Sequence, residues 1–221
     1  MRKTHWLLAF ALVIALGRPA LAGKTVEVVK IKGQSLVASF SSNVTVCASG
    51  INSAVDVQWN STVIKTTGSP PSPSSTAFLT IRYVDTCSGD DLTFTGALDN
   101  ANGSVNGDLS KGHFDGVIAV ATDPDTGPQP QRFAQIHVSL NFAGAGAVTT
   151  IRDRSRSRDG AVTIMNDLMV SSRPASATGT VSGTLPLNTG NKFVNLISGP
   201  SVVASIGKDV SGTITITRKT K

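Results

Sequence analysis

The stretch Arg132-Phe-Ala-Gln-Ile-His-Val-Ser-Leu-Asn-Phe-Ala143 decides the fold class of this chain of 221 residues. Apolar residues occupy every second position from Ala134 to Phe142, and Gln135, His137, Ser139 and Asn141 lie between them. An alternation of period two over ten residues predicts an antiparallel strand with one buried and one exposed face. The stretch therefore predicts a sheet, and the rest of the chain has to supply its other strands.

Similar alternation recurs along the chain, and glycine and proline separate the runs. Val55, Val57 and Trp59 share one face, and so do the apolar residues at 77–83 and those at 210–216. The run at 117–121 is apolar at nearly every position, which predicts burial on both faces. No convincing helix pattern occurs, and Glu27 is the only glutamate. We therefore predict an all-β fold, an antiparallel β-sandwich of Ig-like or jelly-roll-like type, forming a single domain over residues 23–221.

Turn residues predict where the strands end. Asn102-Gly103 and Asn106-Gly107 are dipeptides that favour hairpin turns because both residues tolerate positive φ. The segment 68–74 contains three prolines and is predicted to stay outside any sheet interior. The segment 123–128 is predicted to be another loop. These breaks divide the chain into many strands joined by turns.

The N-terminus has the three parts of a secretory signal peptide. Arg2 and Lys3 give a positive start, an apolar run follows from Trp6 to Leu16, and Ala20-Leu21-Ala22 matches the cleavage pattern. We expect removal of residues 1–22, a mature chain that begins at Gly23, and a location in the periplasm or outside the cell. No later segment is long and apolar enough to predict a transmembrane helix.

Export changes how charge and cysteine content are interpreted. Loss of Arg2, Lys3 and Arg18 lowers the 20 basic residues to 17 against 14 acidic ones, a net charge of +3 instead of +6. This balance gives no indication of nucleic-acid binding.

The two cysteines can form one disulfide in an oxidising compartment, Cys47–Cys87. It would join two strand-like segments, 43–48 and 77–87, across a loop of about 40 residues.

The most unusual segment is Arg152-Asp153-Arg154-Ser155-Arg156-Ser157-Arg158-Asp159. In an extended chain its four arginines, Arg152, Arg154, Arg156 and Arg158, would project on one side about 6.5–7 Å apart. This spacing suits phosphates, sulfates or carboxylates on an acidic polymer, such as an anionic polysaccharide or another cell-surface polymer. The commoner explanation of such a run is a solvated, mobile connector whose charge is partly offset by Asp153 and Asp159. It is also the one plausible seam between domains.

Catalytic and metal-binding patterns are weak. His113 and His137 are the histidines of the mature chain, no G-x-S-x-G motif occurs, and most aspartates lie in turn-like sequence. We therefore predict no catalytic residues and no cofactor. Asp123 and Asp125 are weak calcium candidates, as are the acidic positions near 90 and 99, because none has the spacing of a calcium loop. Trp59 is expected in the core, so a sugar-stacking surface is not predicted.

Two resemblances agree with export and an all-β fold. Pro70-Pro71-Ser72-Pro73-Ser74-Ser75, followed by a strand and Asp85-Thr86-Cys87, resembles a group of exported bacterial all-β proteins with no assigned function. Cys47 and the segment 175–181 also fit this group, although Val84 stands where an aromatic residue is expected. The region from Asp85 to Gly96 is similar to that around the second cysteine of chaperone–usher pilins. The C-terminal Arg-Lys-Thr-Lys lacks the aromatic pattern of pilins.

These observations predict an exported, soluble, non-catalytic protein with a binding or structural role and an unknown ligand. The alternative is a fimbrial, pilin-like surface assembly subunit that donates or accepts a strand. A third hypothesis is a carbohydrate-active hydrolase with paired carboxylates in a cleft. A stable monomer would support the binding protein, and a polymer would support the assembly subunit. A cleft with converging carboxylates would support the hydrolase.

Overall fold

The structure, a computed structural model, describes residues 23–44, 51–125, 128 and 130–219. The predicted signal peptide and Cys47 lie outside these residues. Eleven strands make up the described secondary structure, and all of their pairings are antiparallel. The strands are β1 (Lys24–Val44), β2 (Ile51–Thr66), β3 (Ser72–Asp85), β4 (Asp90–Asp99), β5 (Asn102–Val105), β6 (Lys111–Thr122), β7 (Phe133–Gly144), β8 (Thr149–Asp159), β9 (Val162–Leu187), β10 (Gly190–Asn195) and β11 (Val203–Lys219). The described residues include no helix long and apolar enough to cross a membrane.

The strands form one sheet that closes on itself. The order β1-β2-β3-β4-β6-β7-β9-β11 returns to β1, because β11 pairs with both β9 and β1. The remaining strands, β5, β8 and β10, pair at its margins with β6, β9 and β9, respectively. The predicted all-β, sandwich-like single domain is confirmed, and its opposing layers belong to one continuous sheet.

The main core fills the closed part of the sheet. In β7 the burial pattern alternates as the sequence predicts, with Ile136, Val138 and Leu140 fully buried. The same alternation buries one side of β2, β3 and β4, where Val55, Leu79 and Phe94 lie against the other layers. Burial of each such side chain contributes about 1.5–3 kcal/mol. The core therefore forms where the period-two signal is strongest.

β1, β9 and β11 run well beyond the core, and their outer parts form a sheet extension together with the end of β2 and the whole of β8. This extension comprises residues 24–32 of β1, 61–66 of β2, 149–159 of β8, 162–171 of β9 and 211–219 of β11. A second apolar cluster around Val29, Leu168, Ile214 and Ile216 lies on one of its faces. In β1 and β9 the apolar side chains of the extension lie on the opposite sheet face from those of the core. In β1, for example, Val29 is at an odd-numbered position and Leu36 at an even-numbered one, so their side chains point to opposite faces. In β11 a bulge between Lys208 and Ser211 reverses the alternation of side chains. The apolar residues of β11 therefore stay at even-numbered positions although the face that they occupy changes.

Several local predictions were wrong. Asn102 and Gly103 lie inside β5, and the turn before them is made at Asn100, whose φ is 56°. β3 begins at Ser72, but residues 72–74 pair only with β2 among the described strands and stay exposed, so the proline-rich segment lies outside the sheet interior as predicted. The run at 117–121 is buried on one face only, because Val117 is half exposed while Ile118 and Val120 face the core. The predicted turn after Val105 and the loop that begins at Asp123 are present.

Candidate anion-binding face

The arginine-rich segment is a strand and not a connector. β8 spans Thr149–Asp159 and pairs with β9 in an unbroken register from Thr149↔Ser172 to Asp159↔Val162. Because side chains alternate along a strand, Arg152, Arg154, Arg156 and Arg158 lie on one face. The connector interpretation and the domain seam were therefore wrong, and the extended arrangement of the four arginines is what the structure contains.

The register brings lysines from distant parts of the sequence onto the same face. Directly opposed residues of antiparallel strands share a face, so the arginine side of β8 can be followed across β9, β11, β1 and β2. Among the described residues of the extension, this face carries nine basic side chains and one carboxylate, Asp167. We call it the basic face; its basic residues are Lys24, Lys30, Lys32, Lys65, Arg152, Arg154, Arg156, Arg158 and Lys219.

Asp167 on β9 holds the first arginine of the row. Arg152 donates to it from Nε at 2.7 Å and from Nη2 at 2.6 Å, and Arg154 Nε lies 3.5 Å from the same carboxylate. The Arg152 hydrogen bonds hold the pKa of Asp167 below its usual range, with smaller contributions from the charges of Arg152 and Arg154. Arg156 makes no hydrogen bond within the described residues, and Arg158 Nε reaches only Gly160 O at 3.4 Å.

The neighbouring aspartates of the sequence do not neutralise the arginines in the expected way. Asp153 and Asp159 lie opposite Leu168 and Val162, on the apolar face of the extension. The expectation that they would partly offset the arginine charge was therefore wrong for the basic face. Sequence reasoning missed Asp167 and the lysines. The lysines could have been recognised from Lys30 and Lys32, which occupy alternate positions in a run of sequence that is predicted to be extended.

The middle of the basic face is made of hydroxyl and apolar side chains. Thr163, Thr213, Thr215 and Thr217 lie between the arginine row and the lysines of β1, and all four are half-buried. Four strand spacings separate β8 from β2, which is about 19 Å, and the arginine row is about 20 Å long. The face is therefore broad, with basic groups on two margins and donors or acceptors between them.

A shallow groove lies at the lysine margin. Lys30 and Lys65 are directly opposed on β1 and β2, and with Val28 and residues 66–69 they line a space of about 300 Å³. The turn beyond it is fixed by Thr67, which donates its N–H to Val28 O at 3.0 Å and accepts from Val28 N at 3.1 Å. Two exposed ammonium groups beside an ordered turn can hold an anionic group.

The weak calcium candidates lie in an ordinary turn. Asp123 Oδ1 accepts the backbone N–H of Asp125 at 2.9 Å, which is the local hydrogen bond that aspartate makes in turns. Within the described residues no group of three or more histidine, cysteine, aspartate or glutamate side chains could hold a metal ion. The structure therefore gives the Asp123 side chain a turn-forming role, with the backbone N–H of Asp125 as its donor.

The histidines lie on the exposed outer side of β6 and β7. His113 Nδ1 is 3.0 Å from Asn141 Oδ1, and His137 Nε2 is 3.5 Å from Asp115 Oδ2. Neither imidazole has a serine hydroxyl as a hydrogen-bond partner in the described part of the chain. These contacts are cross-strand surface pairs and do not form a nucleophile–base arrangement.

Two carboxylates and the one tyrosine are buried at the β3–β4 end of the core. Asp85 is directly opposite Asp90 and accepts the N–H groups of Cys87 and Ser88. Asp90 accepts from Ser88 Oγ at 2.7 Å and from Asn188 N at 2.9 Å, and Arg132 lies 3.9 Å away. The Tyr83 hydroxyl has no hydrogen-bond partner among the residues that the structure describes. Burial, and then the charges of Asp85 and Asp90, raise the pKa of Tyr83.

The predicted disulfide concerns a residue outside the described part of the chain. Cys87 lies in the turn after β3, and not within that strand as expected. Cys47 belongs to the connection between Val44 and Ile51, and Ile51 is directly opposite Asp85. Val44 and Ile51, which flank the segment that contains Cys47 in the sequence, lie at the same end of the sheet as Cys87, and the pairing of the two cysteines stays a prediction.

Trp59 is in the core, as expected. It is 2% exposed, and its indole N–H donates to Ala101 O at 3.1 Å. Gly103 packs so closely that an added Cβ would lie 2.5 Å from Trp59 Cε2. Tyr83 is equally buried. Neither ring can stack on a sugar without unfolding.

Comparisons with known proteins give no further guide to function. No protein-family model, no curated protein and no solved structure matches this chain. The resemblances to exported all-β proteins and to pilins therefore have no support beyond the short motifs that suggested them.

Proposed function

We propose that the chain is an exported, non-catalytic binding protein whose basic face holds an extended anionic polymer. One observation carries this proposal: four arginines of a single strand share a sheet face with five lysines of three other strands, and Asp167 is the single carboxylate that the described residues place on that face. Like charges in such number repel one another and raise the local potential. An anionic ligand relieves this repulsion.

The dimensions of the basic face favour a polymer over a small ligand. The basic groups are spread over about 20 Å in each direction, and the groove at Lys30 and Lys65 is shallow. Several weak, solvated contacts add up only when one ligand reaches many of them. Guanidinium groups on one margin suit sulfates or carboxylates. Threonine hydroxyls between the margins can hydrogen-bond to sugar hydroxyls, so an anionic polysaccharide is a suitable first probe.

A sulfated-polysaccharide column tests the proposal with a matched control. The triple variant R154S/R156S/R158S removes three charges from the basic face. The variant R82S/K111S/K192S removes three exposed charges from the other parts of the sheet. We expect the first variant to elute at clearly lower salt than the unchanged chain, and the control to elute close to it. Equal shifts for both variants would show that only net charge matters and would contradict a defined binding face.

The alternative of a surface assembly subunit has one observation in its favour, the outer edge of β8, which pairs with no strand of the described part of the chain. Against it, β1 and β11 already pair with each other over thirteen positions, so the strands nearest the two ends of the described chain complete the sheet. Size-exclusion chromatography of the mature chain separates the two functions. A binding protein stays at the mass of one chain, and an assembly subunit forms a ladder of larger species.

A further inference from the structure

No strand of residues 23–44, 51–125 or 130–219 covers the outer edge of β8. β8 pairs with β9 on one side and with no other strand of the described residues. All eleven of its residues are exposed. Every second residue therefore directs its backbone N–H and C=O groups into solvent, which is the arrangement that accepts an additional strand.

The charges on β8 disfavour a second copy of this chain at that edge. A symmetric antiparallel pair of β8 edges keeps the same sheet face on the same side in both copies. Arginines would then lie opposite arginines, for example Arg154 opposite Arg156 of the second copy. Directly opposed like charges destabilise a strand pair. The arginine row therefore protects the edge from self-association and leaves it suited to a strand of opposite charge.

An acidic strand matches the row by geometry as well as by charge. A peptide in extended conformation repeats every second side chain at about 6.5–7 Å, the same repeat as the arginines of β8. Carboxylates at alternate positions would each lie opposite one guanidinium. On the β9 side, Asp167 already accepts two hydrogen bonds from Arg152 and lies 3.5 Å from Arg154, which shows that a carboxylate of a neighbouring strand can bind this row. Arg154, Arg156 and Arg158 keep most of their donors for a strand on the other side.

We propose that the free edge of β8 binds an acidic peptide segment as an added antiparallel strand, with Asp or Glu at every second position opposite Arg154, Arg156 and Arg158. This inference rests on the proposed function, because both use the arginine row, and it goes further by naming an extended acidic polypeptide as the ligand. Backbone hydrogen bonds to β8 hold the segment, and the carboxylates set its register.

The test uses the full mature chain and four synthetic peptides of equal charge. One peptide has Asp at every second residue with Thr between. Its isomer has four consecutive Asp followed by four Thr. Two further versions of the alternating peptide are N-methylated either at all Asp or at all Thr residues. Binding is measured by fluorescence anisotropy at low salt, and hydrogen exchange of the β8 amides is followed in parallel.

We expect the alternating peptide to bind about tenfold or more tightly than its isomer. One methylated version should lose a similar factor, because its missing N–H groups face β8, and the other should keep its affinity. Exchange should slow at alternate β8 amides. If the isomer and both methylated peptides bind as well as the alternating one, the contact is purely electrostatic and the added strand is wrong.

The outcomes separate this inference from the proposed function. If R154S/R156S/R158S loses polysaccharide retention while no peptide binds, the polyanion face stands and the acidic strand is overturned. If that variant retains both ligands unchanged, the proposed function fails as well. Far-UV circular dichroism of the variant confirms that the sheet is intact in each case.

Discussion

Arg152 donates two hydrogen bonds to Asp167, although the strand register places Arg154, and not Arg152, directly opposite Asp167. The Asp167 carboxylate therefore binds Arg152, its diagonal neighbour, and lies 3.5 Å from Nε of Arg154, its directly opposed neighbour. One acidic side chain from β9 engages the N-terminal end of the row. The C-terminal arginines, Arg156 and Arg158, are left without a carboxylate partner within the described residues.

Asp167→Asn should strengthen binding to an anionic polymer. The change removes the one carboxylate that the described residues place on the basic face and leaves Arg152 with at most one neutral acceptor at this position. We expect roughly two- to fivefold tighter binding at low salt, an effect that shrinks as salt screens the charges. Asp153→Asn adds the same charge on the opposite face and is the matched control. Equal gains for the two variants would argue against a face-specific effect.

Binding to a sulfated polymer should also increase as the pH falls through the pKa of Asp167. Arg152 holds that pKa below the usual range, so the increase should begin at more acidic pH than for an ordinary aspartate. The same shift means that the ion pair stabilises the fold at higher pH and loses its effect as Asp167 becomes protonated. Retention measured against pH checks this. Asp167→Asn should show no such step, and a step that survives in this variant belongs to another group.

Loss of the predicted disulfide should destabilise the fold. A Cys47–Cys87 bond would close a loop of about 40 residues, so Cys87→Ser should lower the free energy of unfolding by about 3–4 kcal/mol. Chemical denaturation measures this, and thiol titration of the denatured chain should find no free thiol. The Cys47→Ser/Cys87→Ser double variant should be no less stable than the single one. Two reactive thiols in the unchanged chain would overturn the pairing.

Gly103→Ala should disturb the packing of Trp59. An added Cβ would lie 2.5 Å from Trp59 Cε2 and 2.7 Å from Cδ2, so the ring or the β5 backbone must move. Overpacking of this kind costs about 1–3 kcal/mol. Trp59 fluorescence during denaturation reports the loss, since the other tryptophan, Trp6, belongs to the predicted signal peptide. Gly107→Ala meets no atom within 4 Å and should leave stability unchanged.

Tyr83→Phe should be neutral or stabilising. Within the described part of the chain the buried Tyr83 hydroxyl has no hydrogen-bond partner, so its removal relieves desolvation and can add up to about 1 kcal/mol. Its pKa is raised, so folding favours the neutral phenol, and this contribution is lost as the pH rises above the unfolded value of about 10. The unchanged chain should therefore lose more stability than Tyr83→Phe in alkaline denaturation. Identical alkaline curves for the two chains would contradict the raised pKa.

Alternation predicted the core strands because each is buried on one face only. β7 and the apolar sides of β2, β3 and β4 follow the sequence pattern residue by residue. The prediction that the run at 117–121 is buried on both faces was wrong because alanine and valine are tolerated on an exposed strand face. The presence of Val117 therefore gave no information about burial. The turn at Asn102-Gly103 failed because Gly103 is needed for close approach to Trp59.

By itself the sequence determined that this chain forms antiparallel strands with one apolar side, and that four arginines would share a face if their segment were extended. Only the tertiary structure decided that the segment is a strand, because β9 supplies its hydrogen bonds. It also brought Lys24, Lys30, Lys65 and Lys219 onto that face and placed Asp153 and Asp159 on the other. Such placement depends on the register between strands far apart in the chain. Local periodicity contains no information about that register, so the basic face could be identified only in the folded sheet.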